Sequence, residues 1–133
     1  MNELNYVCDP VLTAEQVADL FRRSTIRRPI DDMPRIAKMV AASDLTVAAF
    51  DGDLLVGYSR SLTDFCFCCY LSDLAVDEKY QHKGIGKKLV EITRDRIGDK
   101  AALILLASPA AMGYYPKIGF ELAQNAFIIK RTE

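Results

Sequence analysis

The stretch Gln81-His82-Lys83-Gly84-Ile85-Gly86 combines two glycines with a cationic side chain, and Lys87 and Lys88 follow at once. An apolar run, Leu71-Ser72-Asp73-Leu74-Ala75-Val76, precedes it, and an amphipathic pattern follows. A strand, a tight glycine turn and a helix start leave several backbone N–H groups around one point, where the helix terminus adds partial positive charge. That combination suits a phosphate group. A dinucleotide fingerprint would require G-x-G-x-x-G after a first strand, with an acidic residue about 20 positions on. Here Leu89 stands where the third glycine belongs, and antiparallel strands come first. The mononucleotide loop G-x-x-x-x-G-K-[ST] is absent. A plain strand-to-helix turn with solvated lysines is the remaining alternative.

The elements that would position this turn follow from the hydrophobic periods. After Tyr6-Val7-Cys8, Thr13-Ala14-Glu15-Gln16 reads as a capping box opening a helix, with Val17, Leu20 and Phe21 as its apolar stripe. The basic break from Arg22 to Pro29 stops it. Asp31 or Asp32 can cap a second helix, in which Met33, Ile36, Ala37 and Val40 have the spacing of one buried face. Leu45 to Phe50 and Leu54 to Leu62 read as strands joined by a hairpin at Asp51-Gly52-Asp53. Phe65 to Val76 reads as a third strand, Gly84 to Ile97 as a helix, and Gly98 as its C-terminal stop.

Leu103-Ile104-Leu105-Leu106 is apolar throughout, which predicts a strand covered on both faces. The order strand, helix, strand implies a right-handed crossover between parallel neighbours. Ser108 to Tyr115 could hold a short helix stopped by Pro116, and Phe120 to Leu122 and Ala126 to Lys130 read as final strands. The expected fold class is α/β, a mixed sheet with antiparallel N-terminal strands and a parallel central pair, flanked by helices.

The 133 residues suit a single domain, 1–133, able to bury its own core. Half the residues are hydrophobic and the formal charge is −1, so nothing favours nucleic acid as a partner and any anion site must be local. No apolar run reaches the roughly 20 residues of a membrane span. Met1 to Asn5 lacks the features of a signal peptide, which gives a cytoplasmic reading. Cys8, Cys66, Cys68 and Cys69 accompany one histidine, His82, a poor ligand set for zinc. On a strand, Cys66 and Cys68 would share one face and Cys69 the other, and small buried hydrophobes are their expected role.

Taken together, Gln81-x-x-Gly84-x-Gly86 and its setting resemble the phosphate-gripping signature of the GCN5-related N-acetyltransferases (GNAT). A second block agrees: Tyr114-Tyr115-Pro116-Lys117-Ile118-Gly119-Phe120 resembles that family's later motif, an aromatic pair, a basic residue and then Gly-Phe. The resemblance covers essentially the whole chain. It implies acetyl-CoA (or another acyl-CoA) as acyl donor, a primary amine as acceptor, and no metal.

The resemblance also implies roles. Gly84 and Gly86 let the backbone approach pyrophosphate, and N–H groups from Lys83 through Ile85 and Gly86 to Lys87 bind its oxygens, with Gln81, His82 and Lys83 at the rim. Leu74, Ala75 and Val76 supply backbone groups to the pantetheine arm, and an N–H near Leu74 faces the thioester carbonyl. Tyr115 matches the usual general acid, protonating the coenzyme A thiolate, while Tyr114 packs inward; Pro116 departs from the commoner acidic residue there. Asp73 resembles the acidic residue that small-molecule branches carry before Leu-Ala-Val. It is the candidate base, beside a water chain, and its other reading is an ion pair. The glutamate base of the histone-modifying branch is missing, since Tyr70 stands near its place.

Arg27, Arg28 and Arg60, with Asp73, Thr63 and Asp64, are candidate acceptor contacts. The segment from Arg60 to Phe67 is similar to plastid acetyltransferases of the arylalkylamine type, which points to small amines, aromatic ones included. Three cysteines suggest an acyl-cysteine scheme, but no histidine lies near them in sequence, so direct attack is expected. Two other readings stand beside this one: a non-catalytic acyl-CoA-binding module, and acetylation of a protein amine. Homodimerisation through the C-terminal strands is compatible with the resemblance, although the sequence shows no clear interface.

Overall fold

The computed structural model describes residues 3–133; Met1 and Asn2, part of the N-terminal stretch read above, lie outside the described residues. Five strands form one sheet in the order β1 to β5: β1 Asn5–Cys8, β2 Leu45–Asp51, β3 Leu54–Thr63, β4 Cys68–Val76 and β5 Ala102–Ile104. The first four pair antiparallel, and β5 runs parallel to β4. Helices α1 Ala14–Arg23, α2 Met33–Ala41 and α3 Ile85–Ile97 flank it. This is the expected mixed sheet.

Local chemistry sets the helix ends. Thr13 Oγ1 accepts the Gln16 N–H at 3.1 Å and the Thr13 N–H donates to Gln16 Oε1 at 2.8 Å, the reciprocal box read from the sequence. Asp32 caps α2 by accepting the Arg35 N–H. Alternation along the strands divides the interior in two. Ala48, Tyr58 and Ala75 pack with Val17, Leu20, Phe21 and Ile36 of α1 and α2. Val47, Ala49 and Val56 pack with Ile85 and Leu89 of α3. Gly57 sets the approach of α3, because a Cβ there would stand 2.7 Å from Ile85 Cγ2 and 3.2 Å from Leu89 Cδ1.

Several expectations are corrected. The strand read from Phe65 begins at Cys68, because Asp64 Oδ1 accepts the N–H groups of Cys66, Phe67 and Cys68 and holds 64–67 as a turn. Cys66 and Cys68 are therefore exposed, and only Cys69 has the buried role. The segment from Ser108 holds two 3-10 turns, Pro109–Ala111 and Tyr115–Ile118. Pro116 falls within the first turn of the second one, where its missing N–H costs nothing, rather than stopping a helix. β5 is short, ending at Ile104, and both Ile104 and Leu106 beyond it are exposed. Phe120 to Leu122 and Ala126 to Lys130 form no strand, since none of the described residues pairs with them.

Candidate functional site

The parallel pairing of β4 with β5 runs from Cys68–Ala102 to Tyr70–Ile104 and stops there, whereas β4 continues to Val76. Among the described residues, Leu71 to Val76 thus have β3 on one side and no strand on the other. Leu74 and Val76 pack toward α3 and Ala75 toward α1 and α2. The open edge is where an extended ligand can add as a strand, and it leads directly into the glycine turn.

Asp77 fixes the junction. Its N–H donates to the Val56 carbonyl at 2.9 Å, and its carboxylate accepts the Lys79 N–H and pairs with Arg23 of α1. A 3-10 turn, Glu78–Tyr80, follows, and Tyr80 Oη donates to Asp51 Oδ2 at 2.6 Å. His82 and Gly84 then both adopt left-handed backbone, with φ of +65° and +78°. Left-handed residues interleaved in a turn gather successive N–H groups into an anion-binding concavity. No side chain caps α3, which leaves its first-turn N–H groups available, and a Cβ on Gly84 would meet nothing within 4 Å. The turn is open where pyrophosphate would have to approach.

The side chains of the turn divide. Gln81 folds back, its Nε2 3.5 Å from the Val76 carbonyl. Lys83 Nζ lies 5.4 Å from the Tyr80 ring centroid. His82, Lys87 and Lys88 are exposed.

Gly86 differs from Gly84. A Cβ on it would stand 2.6 Å from Tyr114 Oη and 3.9 Å from Leu74 Cδ2, so the Tyr114 phenol lies on the start of α3. Tyr114, expected to pack inward, is instead the more exposed of the pair, and Tyr115 is the more enclosed. The rings meet edge-on at 5.3 Å, and Tyr115 meets Phe120 likewise at 5.5 Å. Burial raises the pKa of Tyr115; the Tyr114 phenol adds to that, and the Arg28 guanidinium opposes it. The phenol is therefore held protonated well past neutral pH, as a proton donor must be.

Asp73 is fully buried, with both carboxylate oxygens engaged. Arg28 Nε pairs with Oδ1, and Arg60 Nε donates to Oδ2 at 2.5 Å. The ion-pair reading of Asp73 is thus the observed geometry. Arg28 comes from the segment between α1 and α2, whereas Arg27 beside it is exposed. Thr63 ends β3 and Asp64 opens the turn before β4, where the Asp64 carboxylate is spent on backbone N–H groups. Sequence reasoning missed Asp77 with Arg23, and the contact of Tyr114 with Gly86. Both join residues far apart in the chain, for which periodicity carries no signal. Among the described residues no cluster of three or more His, Cys, Asp or Glu is placed to hold a metal ion, and no helix is long and apolar enough to cross a membrane.

Comparison with known proteins agrees with this geometry. Residues 8–130 match the acetyltransferase (GNAT) domain family. The chloroplastic GCN5-related N-acetyltransferase 2 of Arabidopsis thaliana is 36% identical over 73 residues, a stretch covering 50% of this chain and 27% of that protein. Among solved structures, a protein of meticillin-resistant Staphylococcus aureus described as a probable acetyltransferase superposes with a TM-score of 0.82 at 22% identity, covering 97% of this chain and 100% of the other. The GNAT family N-acetyltransferase YhbS of Escherichia coli, solved with CoA, gives 0.72 at 24% identity, covering 92% and 71%. With the family matched over nearly its whole length and the fold shared, the chain belongs to the GNAT acetyltransferase family.

Proposed function

We propose that this protein is an N-acetyltransferase that transfers an acetyl group from acetyl-CoA directly to a primary amine, most readily that of a small molecule. One observation carries the reading: the unpaired edge of β4 from Leu71 to Val76 runs into an uncapped helix start with an open Gly84. A pantetheine arm needs the first and a pyrophosphate the second, and a coenzyme A complex of the related YhbS fold supports the same ligand.

The first-turn N–H groups of α3, with Lys83 and Lys87 at the rim, would hold the diphosphate. Backbone groups at Leu74, Ala75 and Val76 would align the arm, and an N–H near Leu74 would face the thioester carbonyl. Tyr115, kept protonated, would give its proton to the departing thiolate. Both oxygens of Asp73 are taken by arginines, so we assign it to positioning and leave the acceptor's proton to water. The cytoplasm remains the proposed compartment, on composition.

The test is release of free thiol from acetyl-CoA with a panel of amines, beside calorimetric binding of acetyl-CoA to wild type and Gly84→Asp. Left-handed backbone costs an aspartate about 1–2 kcal/mol, so the variant should fold. Unchanged affinity in a folded Gly84→Asp protein would overturn the assignment of the turn. Tight binding without turnover of any amine would favour the non-catalytic module.

A homodimer is the proposed assembly. Phe127 is 98% and Ile129 99% exposed, on a stretch patterned as a strand, and β5 is a sheet edge with Ile104 and Leu106 uncovered. Each chain thus offers an apolar strand and an open edge. Reciprocal exchange of the tails would bury on the order of 1,000 Å², the threshold of a specific interface.

A further inference from the structure

The register of β3 against β4 pairs Arg60 with Asp73 and Ser61 with Leu71, which leaves Ser72 as the extra residue of a β-bulge. Two arginines clamp that bulge. Arg28 Nη2 donates to the Ser72 carbonyl at 2.7 Å, and Arg60 Nη2 donates to Ser72 Oγ at 3.0 Å. Arg60 also donates to the Met39 carbonyl at 3.1 Å, and it is buried. Both guanidinium groups share the one carboxylate of Asp73, so the cluster holds two positive charges against one negative. A half-desolvated excess charge is costly unless an anion meets it.

Arg60 is enclosed and Arg28 is not: the Arg28 side chain keeps 27% of its surface open. Of the five N–H donors of a guanidinium, three are used by Asp73, Arg27 O and Ser72 O. One N–H on each terminal nitrogen is left, a pair spaced for the two oxygens of a carboxylate. Its backbone lies between α1 and α2, and its head rests on the unpaired stretch of β4, where the acyl group and the amine must meet. The damping effect of its charge on Tyr115 agrees with that placement.

Resting on the acyltransferase reading above, we propose that Arg28 recognises a carboxylate on the acceptor, so that the preferred substrates are amines carrying that group, amino acids among them. Asp73 and Arg60 act through Arg28, fixing the plane of its guanidinium. Polycationic amines are disfavoured by the same excess charge.

The test uses matched acceptors that differ by one carboxylate: phenethylamine with phenylalanine and cadaverine with lysine, with spermidine as the polycation. A charged hydrogen-bond pair is worth enough to favour the carboxylate member by about tenfold or more in kcat/KM, read as thiol release. Arg28→Gln should bring the two members of each pair to within about twofold, and Arg28→Lys should fall between, because a lysine keeps the charge without the fork. Equal rates for the pairs in the wild type, or a preference that survives Arg28→Gln, would overturn the proposal and leave acyl transfer intact. If no amine is turned over, calorimetry with 3-phenylpropionate and 3-phenylpropanol, with and without coenzyme A, decides instead. Selective binding of the acid that Arg28→Gln abolishes supports the site, and equal or absent binding of the two probes rejects it. The wild-type comparison stands even if Arg28→Gln fails to fold.

Discussion

The hydroxyl of Tyr114 lies where a side chain on Gly86 would have to go: an ideal Cβ at Gly86 falls 2.6 Å from Tyr114 Oη and 3.6 Å from Tyr114 Cζ. One glycine of the turn is thus glycine for an internal reason, while Gly84, with open space around it, is glycine for its backbone angle and for approach from outside. The two distances give a double-mutant prediction. Gly86→Ala should cost about 1–2 kcal/mol, in the range of overpacking a close contact. Tyr114→Phe removes the clashing oxygen and leaves an ordinary 3.6 Å contact, so the alanine should be close to neutral in that background. Urea unfolding of the four proteins measures the coupling, and simple additivity would contradict the contact.

A second close approach concerns stability away from the site. Gly57 lets α3 lie on the sheet, with the Ile85 methyl as nearest neighbour and Ala49 Cβ at 3.3 Å. Ile85 is β-branched at the first turn of a buried helix and cannot swing aside cheaply. Gly57→Ala should destabilise by about 1–3 kcal/mol. A loss below half a kilocalorie in urea would show that α3 rides up easily.

How far the sequence alone reached depends on the range of the interactions. The Thr13–Gln16 box and the order of β2, β3, β4 and α3 were legible, because each rests on contacts within a few residues or on a strong period. The α2 face was legible in part, since Ile36 is buried and Met33 and Val40 pack beside it, but Ala37 is exposed and Met39 packs instead. The glycine turn was legible for the same reason. The start of β4 was misplaced because Asp64 binds three backbone N–H groups and turns the chain before Cys68, which overrides an aromatic-rich strand pattern. The fate of Asp73 needed partners 45 and 13 residues away, Arg28 and Arg60, and no local pattern brings those together. The final strands were misread: Phe120 to Leu122 and Ala126 to Lys130 are strand-forming in composition, yet a strand needs a neighbour, and among the described residues they have none.

Asp73 gives a sharper energetic prediction. Replacing it by asparagine leaves the buried Arg60 guanidinium and the partly open Arg28 guanidinium with no shared counter-charge. Loss of one partner from a buried ionic cluster costs about 3–5 kcal/mol. Asp73→Asn should therefore lower the urea midpoint far more than an exposed Asp19→Asn, whose ion pairs with Arg22 and Arg23 lie at the surface. Equal midpoints would mean that the arginines relax into solvent.

The pH dependence of transfer follows from Tyr115. Its pKa is raised above the ordinary 10.0, mainly by burial, so the protonated form persists through neutral pH and the donor is lost only as pH rises through that elevated value. The alkaline fall in kcat should lie above 10.0 in the wild type. Arg28 lowers this pKa, so Arg28→Gln should move the fall further upward. Tyr115→Phe should reduce kcat by about 10²-fold or more, in the range of general acid catalysis, and abolish that limb. An alkaline limb unchanged in Tyr115→Phe would assign it to another group.

The C-terminal segment allows the proposed assembly to be tested without touching the site. Phe127 and Ile129 are almost wholly exposed, and isolated strands of this kind are not stable in water. If the tails exchange between two copies, light scattering should give twice 14.9 kDa at micromolar concentration. Phe127→Asp with Ile129→Asp places charges where the strand must bury its apolar face, and should return the protein to 14.9 kDa. The monomer should keep its affinity for acetyl-CoA, because the glycine turn and the open edge of β4 are built from residues before Ile104. A wild type that is monomeric at every concentration would place the tail on its own sheet edge instead, and would remove the strand-exchange reading.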